Sequence, residues 1–420
     1  MPTDIDVPQD EALLAALGLG RGALAGVRVV DLGWVLAAPY ATMLLGYLGA
    51  EVIKVESRRR IDEQRIAHRA GLSKDYDASS NFFEVNLTKR SVTLNLATPK
   101  GSELVRRLVA ISDVVIENMR PGVVDRLGLG YAELVKVKPD IIMASVSGWG
   151  SRGPLREYTA YAPCFSSFSG LAHLTGYVDD EPNTGTSSND ARSGTGAAFA
   201  ILMALMIKQR TGRGQYIDMS SCETLNTLIG DRMIEYGLSG VSPGRDGNHD
   251  GIVAPHNVYR CAGEDAWLSI AVTTDEEWRS LRAAMGEPAW AQDPALDAGQ
   301  GRWDRQEELD RAIGEWTTTR SAVELTEILQ ARGVAAIPSY SAEELFTHPH
   351  LIERGSISEV PHPRLGMRTA ISPPWILSQT PARIARTAPL LGEHNDYVLT
   401  ELLGLTAGEI DALAEEQVVY

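Results

Sequence analysis

Residues 26–57, GVRVVDLGWVLAAPYATMLLGYLGAEVIKVES, decide how the chain folds. The opening GVRVVDLGW is a short β-rich run. LAAPYATMLLGYLGA then places apolar residues at helical spacing, and EVIKVES is β-rich again. Strand, helix and strand within some thirty residues make a β-α-β unit. The alternation continues outward through SVTLNL, a helix over about 99–111, DVVIENM, a helix over about 123–137, and DIIMASVSGWG. Strands alternating with helices imply a largely parallel sheet covered on both faces.

The segment 153–190 has no clear period and is rich in Ser, Thr, Gly and Tyr. A helix is expected over about 196–210, stopped by the glycines of TGRGQ and followed by the strand QYIDMS. A helical region over 223–238 then leads to SGVSPGRDGNHDG, whose Gly and Pro content marks a linker. HNVYRC, AWLSIAV, DEEWRSLRAAMG, VELTEILQARG and VAAIPSY read as a smaller mixed unit. The expected fold is α/β, with a Rossmann-like large domain over 20–225 completed by 342–420. A linker follows at 226–249, and a smaller α+β domain at 250–341.

The first strand-to-helix turn, DLGWVLAAPY, holds one glycine where a nucleotide fingerprint needs G-x-G-x-x-G, which weakens an NAD-binding reading. A ligand is still expected outside the carboxyl ends of the strands. Those ends carry residues 33–38, Ser57 and Arg58, and 118–122.

At 420 residues the chain has room for two lobes, and 44% apolar with 22% charged residues is ordinary for a globular protein. Acidic residues outnumber basic ones 55 to 39, a net charge of −16, which argues against a nucleic-acid partner. Of the local basic clusters, Arg59 and Arg60 read as solvated surface, Lys89 and Arg90 less so. The acidic N-terminus does not read as a signal peptide, and no apolar run reaches the roughly 20 residues of a membrane helix. Cys164, Cys222 and Cys261 are too scattered for a disulfide or metal pattern, so buried thiols and a cytoplasmic location are expected. His348 and His350 lack further ligands nearby, so no metal site is expected. Ser151, in W-G-S-R-G, lacks the G-x-S-x-G elbow.

SSNDARSGTGAAFAILMAL, from residue 187, sets Asp190 before a small-residue turn and an apolar helix. An aspartate there caps a helix, but a carboxylate in a closed site is also a nucleophile.

Together with NLTKRSVTLNLATPKG, SDVVIENMRPGVVDRLGLGYAEL, ALMIKQRTGRGQYIDMS and APLLGEHNDYVL, the opening stretch resembles the class III CoA-transferases, the formyl-CoA transferase, carnitine CoA-transferase and bile-acid-inducible (CaiB/BaiF) group. The resemblance covers essentially everything beyond residue 25. It implies transfer of coenzyme A from an acyl-CoA donor to a carboxylic acid acceptor, with Asp190 as the catalytic residue and no tightly bound cofactor. By the same matching, Val35, Ser57, Arg58, Asn118, Met119 and Arg126 bind coenzyme A, Arg126 as a phosphate partner. Leu36 and Tyr161 face the acids. Leu36 stands where the formyl-CoA transferase has a glutamine, which implies an acceptor larger or more apolar than oxalate. The family also implies an interlocked homodimer, or pairing with a homologous sister subunit, and an active site between the domains. The loop 244–251 stands where the family has a glycine-rich loop, and is a candidate lid.

Two alternatives remain. An α-methylacyl-CoA racemase needs a second acid/base group, and Ala160, Tyr161 and Ala162 stand where those racemases read GHD. A non-catalytic CoA-binding subunit is the other, and the intact Asp190 argues against it.

Overall fold

The computed structural model describes residues 22–66 and 75–420, residues 186 and 187 by their backbone alone. The N-terminal stretch that does not read as a signal peptide lies almost wholly outside the described residues. The chain divides into two compact units. The first runs to Ala172 and adds Thr184–Ser239 and Ile352–Tyr420; the second comprises His173–Asn183 and Gly240–Leu351.

The first unit is built on six parallel strands, β1 (Arg28–Asp31), β2 (Glu51–Glu56), β3 (Lys89–Thr93), β4 (Val114–Glu117), β5 (Ile142–Ser147) and β6 (Tyr216–Ser220), in the order β3-β2-β1-β4-β5-β6. This is the Rossmann strand order, with its switch point between β1 and β4. Side chains alternate across the sheet, so consecutive apolar residues serve opposite faces. Val29, Val52, Val114 and Ile142 pack on one face with helix α1 (Ala37–Tyr47). Val30, Ile53, Val115 and Met143 pack on the other with α2 (Pro99–Ala110) and the C-terminal Val398, Leu399, Val418 and Val419.

Three helical expectations need correction. The single helix over 123–137 is two, α3 (Val123–Arg126) and α4 (Tyr131–Val137). Gly128, at φ +68°, breaks it, and a side chain at Gly130 would strike the Asp125 carboxylate at 2.0 Å. The segment 153–190 is not wholly irregular, because it contains α5 (Ala162–Ser169) and a further turn at Leu171–Leu174. The helix expected from 196 begins ten residues earlier, as α6 (Thr186–Thr211). Its glycines are packing residues. A Cβ at Gly194 would lie 2.5 Å from the Ala37 carbonyl, and one at Gly196 would lie 2.9 Å from the Met219 methyl. Tertiary contact therefore outweighs the helix-breaking tendency of glycine, about 1 kcal/mol each.

From Ser188 onward α6 has the length and apolar composition of a membrane span. Ala197, Ile201 and Ala204 pack in the sheet core, while Phe199, Met203, Met206 and Ile207 are exposed. After β6 come α7 (Ser221–Asn226) and α8 (Gly230–Ser239), and α8 buries no side chain. Residues 357–371 form an antiparallel hairpin, Ile357–His362 with Gly366–Ile371.

The second unit has a three-stranded antiparallel sheet, His256–Arg260, Trp267–Ala271 and Ala335–Pro338. The helices Asp275–Ala284, Gln306–Thr317 and Ala322–Gln330 close it around Trp278, Leu268, Ile313 and Leu325. Its loop 244–251 is held within the unit. Gly247 N–H donates to the Gly176 carbonyl, and His249 Nε2 lies 2.7 Å from Asp310 Oδ2.

Candidate active site

The carboxyl ends of β1, β2, β4 and β5 open into a cavity of about 730 Å³, lined by residues of the first unit. Strands in such a sheet end in loops free of ladder bonds, and the switch point leaves a crevice between them. Of the residues singled out in the sequence, Val35, Ser57, Asn118, Met119, Tyr161 and Asp190 line it together. Leu36, Arg58 and Arg126 are not in the lining. Leu36 is the residue just before α1, and Arg58 and Arg126 are exposed.

Asp190 enters from the second turn of α6, so it is not the cap that its sequence position suggested. The helix start is fixed instead by Asn189, whose Nδ2 donates to the carbonyls of Ala162 (3.0 Å) and Thr184 (3.1 Å). Among the described residues the Asp190 carboxylate has no hydrogen-bond partner, and burial pushes it up to about 6. Loss of water dominates over a dipole whose influence fades within the first turn. A carboxylate of this basicity is still mainly ionised at pH 7, and a better nucleophile than an ordinary aspartate. Tyr161, 59% exposed, lines the same cavity from the residue preceding α5.

The turn between β1 and α1 forms one wall. Val35 sits at φ +61°, an outlier for a β-branched residue that costs about 1–3 kcal/mol. Asn118 also reaches this turn. Its Oδ1 accepts from Trp34 N and its Nδ2 donates to Trp34 O, both at 2.7 Å, so its side chain holds the wall. Beneath Asn118, Glu117 accepts from Met119 N–H at 2.7 Å, and burial pushes it up to about 7.

Lys89 and Arg90 belong to the scaffold. Lys89 is fully buried on Asp31 (3.0 Å), and Arg90 reaches Glu51 and lies over the Tyr397 ring. Arg65 is also buried. It makes a two-pronged bond to Glu56, contacts Asp77 and the Pro389 carbonyl, and stacks 3.5 Å from the Phe82 ring centroid. Glu56 Oε2 in turn accepts from Ser91 Oγ (2.6 Å), which ties the cavity floor to the C-terminal segment. Cys222 and Cys261 are buried, but Cys164, expected buried, is exposed on α5.

Trp34 and Arg120 line the cavity within the strand ends 33–38 and 118–122 where a ligand was expected, whereas sequence reading did not place Arg60 and Arg156 there. Arg59 and Arg60, read as solvated surface, are exposed and also line the cavity, and Arg60 lies 4.6 Å from the Trp34 ring centroid. The signal was their position directly after β2, where the switch-point rule already pointed. The site therefore combines the partly buried, unpaired Asp190 carboxylate with several guanidinium groups at the same cavity, a set suited to an anionic substrate with a reactive carbonyl.

Residues 24–395 match the family model for CoA-transferase family III. The chain is 38% identical over 397 residues, 94% of this chain and 97% of the relative, to a succinyl-CoA–D-citramalate CoA-transferase of Chloroflexus aurantiacus. It is 32% identical over 94% of this chain and 98% of the relative to the beta subunit of a succinyl-CoA–L-malate CoA-transferase from the same organism. A CaiB/BaiF family protein from Brucella suis superposes with a TM-score of 0.81 at 31% identity, covering 91% of this chain and all of that one. The chain belongs to CoA-transferase family III.

Proposed function

We propose that the protein moves coenzyme A from an acyl-CoA donor to a carboxylic acid through covalent intermediates on Asp190. The supporting observation is the partly buried Asp190 carboxylate, raised to about 6 and without a hydrogen-bond partner among the described residues, in one cavity with Val35, Ser57, Asn118 and Met119.

An Asp190 oxygen attacks the thioester carbonyl carbon, the C–S bond breaks, and the products are an acyl-aspartyl anhydride and the CoA thiolate. The thiolate attacks the Asp190 carbonyl carbon and expels the donor acid as its carboxylate, leaving an aspartyl-CoA thioester. The acceptor carboxylate attacks that thioester and again releases the thiolate, with an acceptor-aspartyl anhydride formed. Attack of the thiolate on the acceptor's carbonyl gives the new acyl-CoA and frees Asp190. One thioester is consumed and one made, so neither ATP nor net proton transfer is needed. The anhydrides survive only where water is kept out, and the burial that raises Asp190 serves that end. Arg59, Arg60, Arg120 and Arg156 are the candidate partners for the CoA phosphates.

Succinyl-CoA is the donor to try first, because both relatives are named for it. Leu36 lies outside the lining and lends no support to an apolar acceptor. The acceptor panel therefore includes D-citramalate and L-malate beside an aromatic acid. The exposed apolar side chains of α6, with Met233, Ile234, Tyr236 and Leu238 of α8, support a dimer, interlocked as the family resemblance implies. Light scattering of the purified chain tests it, and a monomer would count against it.

The test of the chemistry is mass spectrometry after incubation with acyl-CoAs and a hydroxylamine quench. A hydroxamate on Asp190 that disappears in Asp190→Ala supports the reading. CoA binding without an adduct from any donor would overturn it in favour of a non-catalytic subunit or a racemase.

A further inference from the structure

The cavity wall at residues 33–35 is held at each of its three residues by side chains. Gly33 N donates to Asp31 Oδ1 (2.8 Å), and Gly33 O accepts from Lys54 Nζ (2.7 Å). Trp34 is held on both sides by Asn118. Val35 N donates to Asp62 Oδ1 (3.2 Å). Lys54 and Asp62 pair at 3.3 Å, with side chains 1% and 4% exposed. Neither lines the cavity. The Val35 conformation is one that L side chains rarely adopt, and it persists only where surrounding bonds impose it. Asp62 supplies the bond at that residue, and Lys54 anchors both Asp62 and the Gly33 carbonyl.

We propose that Asp62, backed by Lys54, is a positioning residue for acyl-CoA: it holds Val35 in the left-handed conformation that shapes the binding wall, without touching the substrate. This rests on the reading that the cavity takes acyl-CoA.

Asp62→Ala removes the acceptor, and free CoA, measured by titration calorimetry, should bind at least tenfold more weakly. Glycine adopts a positive φ without strain. Val35→Gly should therefore return Asp62→Ala to within about threefold of the Val35→Gly protein, while the thermal midpoint stays depressed because the buried Lys54 has lost its Asp62 ion pair. A purely structural ion pair predicts no such rescue. If Asp62→Ala does not fold, Lys54→Met/Asp62→Leu replaces both charges by apolar groups, an exchange that buried pairs often tolerate. It should fold, bind CoA at least tenfold more weakly, and be rescued by Val35→Gly. In crystals of either variant Val35 should leave the left-handed region. Val35 still near +60° there, or rescue absent in both backgrounds, overturns the clamp. A wild-type protein that fails to bind CoA overturns the ligand reading and this role with it, and the crystal readout tells the two failures apart.

Discussion

Asp190→Asn should make the protein more stable while abolishing transfer. The carboxyl is raised from 3.8 to about 6 by burial. At 1.36 kcal/mol per unit the shift corresponds to about 3 kcal/mol, which partial exposure reduces to about 2 kcal/mol. The folded pKa lies above the unfolded one, so the folded state binds the proton more tightly. Stability is therefore lost as pH rises from about 4 to 6, and the full penalty applies above that window. The isosteric amide carries no such penalty. Its advantage should be greatest at pH 8 and fall to about a third of that at pH 4.5. For a chain of 420 residues, 2 kcal/mol moves a thermal midpoint by about 2 °C. Scanning fluorimetry across pH measures it, with Asp411→Asn, an exposed site, controlling for the loss of one charge from an acidic protein. Equal midpoints for Asp190→Asn and Asp411→Asn at pH 8, or a difference that does not shrink on acidification, would refute the claim that burial raises this carboxyl.

The same ionisation should appear in catalysis: kcat/KM should fall as pH drops through about 6, and a flat profile between pH 5 and 7.5 would contradict a carboxylate nucleophile. Gly194→Val should destabilise the protein by about 1–3 kcal/mol and lower activity, because its Cβ would press on the Ala37 carbonyl one turn from Asp190; urea unfolding with a steady-state assay checks both. Arg65→Met strands Glu56 in the interior and should cost about 3–5 kcal/mol by urea unfolding. Arg60→Ala should raise the KM for acyl-CoA a few-fold with kcat nearly unchanged, since an exposed cation at the cavity contributes about 1 kcal/mol; an unchanged KM would remove Arg60 from the binding set.

The strand-helix alternation was readable because each element announces itself within ten residues. Apolar runs such as VRVV and EVIKV can only be strands buried on both faces, and they occupy β1 and β2. Family blocks in order pointed to Asp190, Val35, Asn118 and Met119, and these meet at one cavity. What local reading got wrong is equally specific. The glycines of RSGTG look like a turn in isolation, yet serve as contact points where α6 meets α1 and Met219. The sequence left the partners of Lys54 and Lys89 open, and both lie buried on carboxylates, Lys54 on Asp62 and Lys89 on Asp31.

The sequence by itself determined the parallel α/β architecture, the end of the sheet that would bind a ligand, and the carboxylate to examine. The first two follow from short-range periodicity and the way strands end in a parallel sheet, and the third from the family resemblance. Only the tertiary structure decided the environment of that carboxylate, the placing of Arg60 at Trp34, and the hold of Asp62 on Val35. Burial and hydrogen bonding are properties of space, and the residues that create them here lie tens of positions apart in the chain.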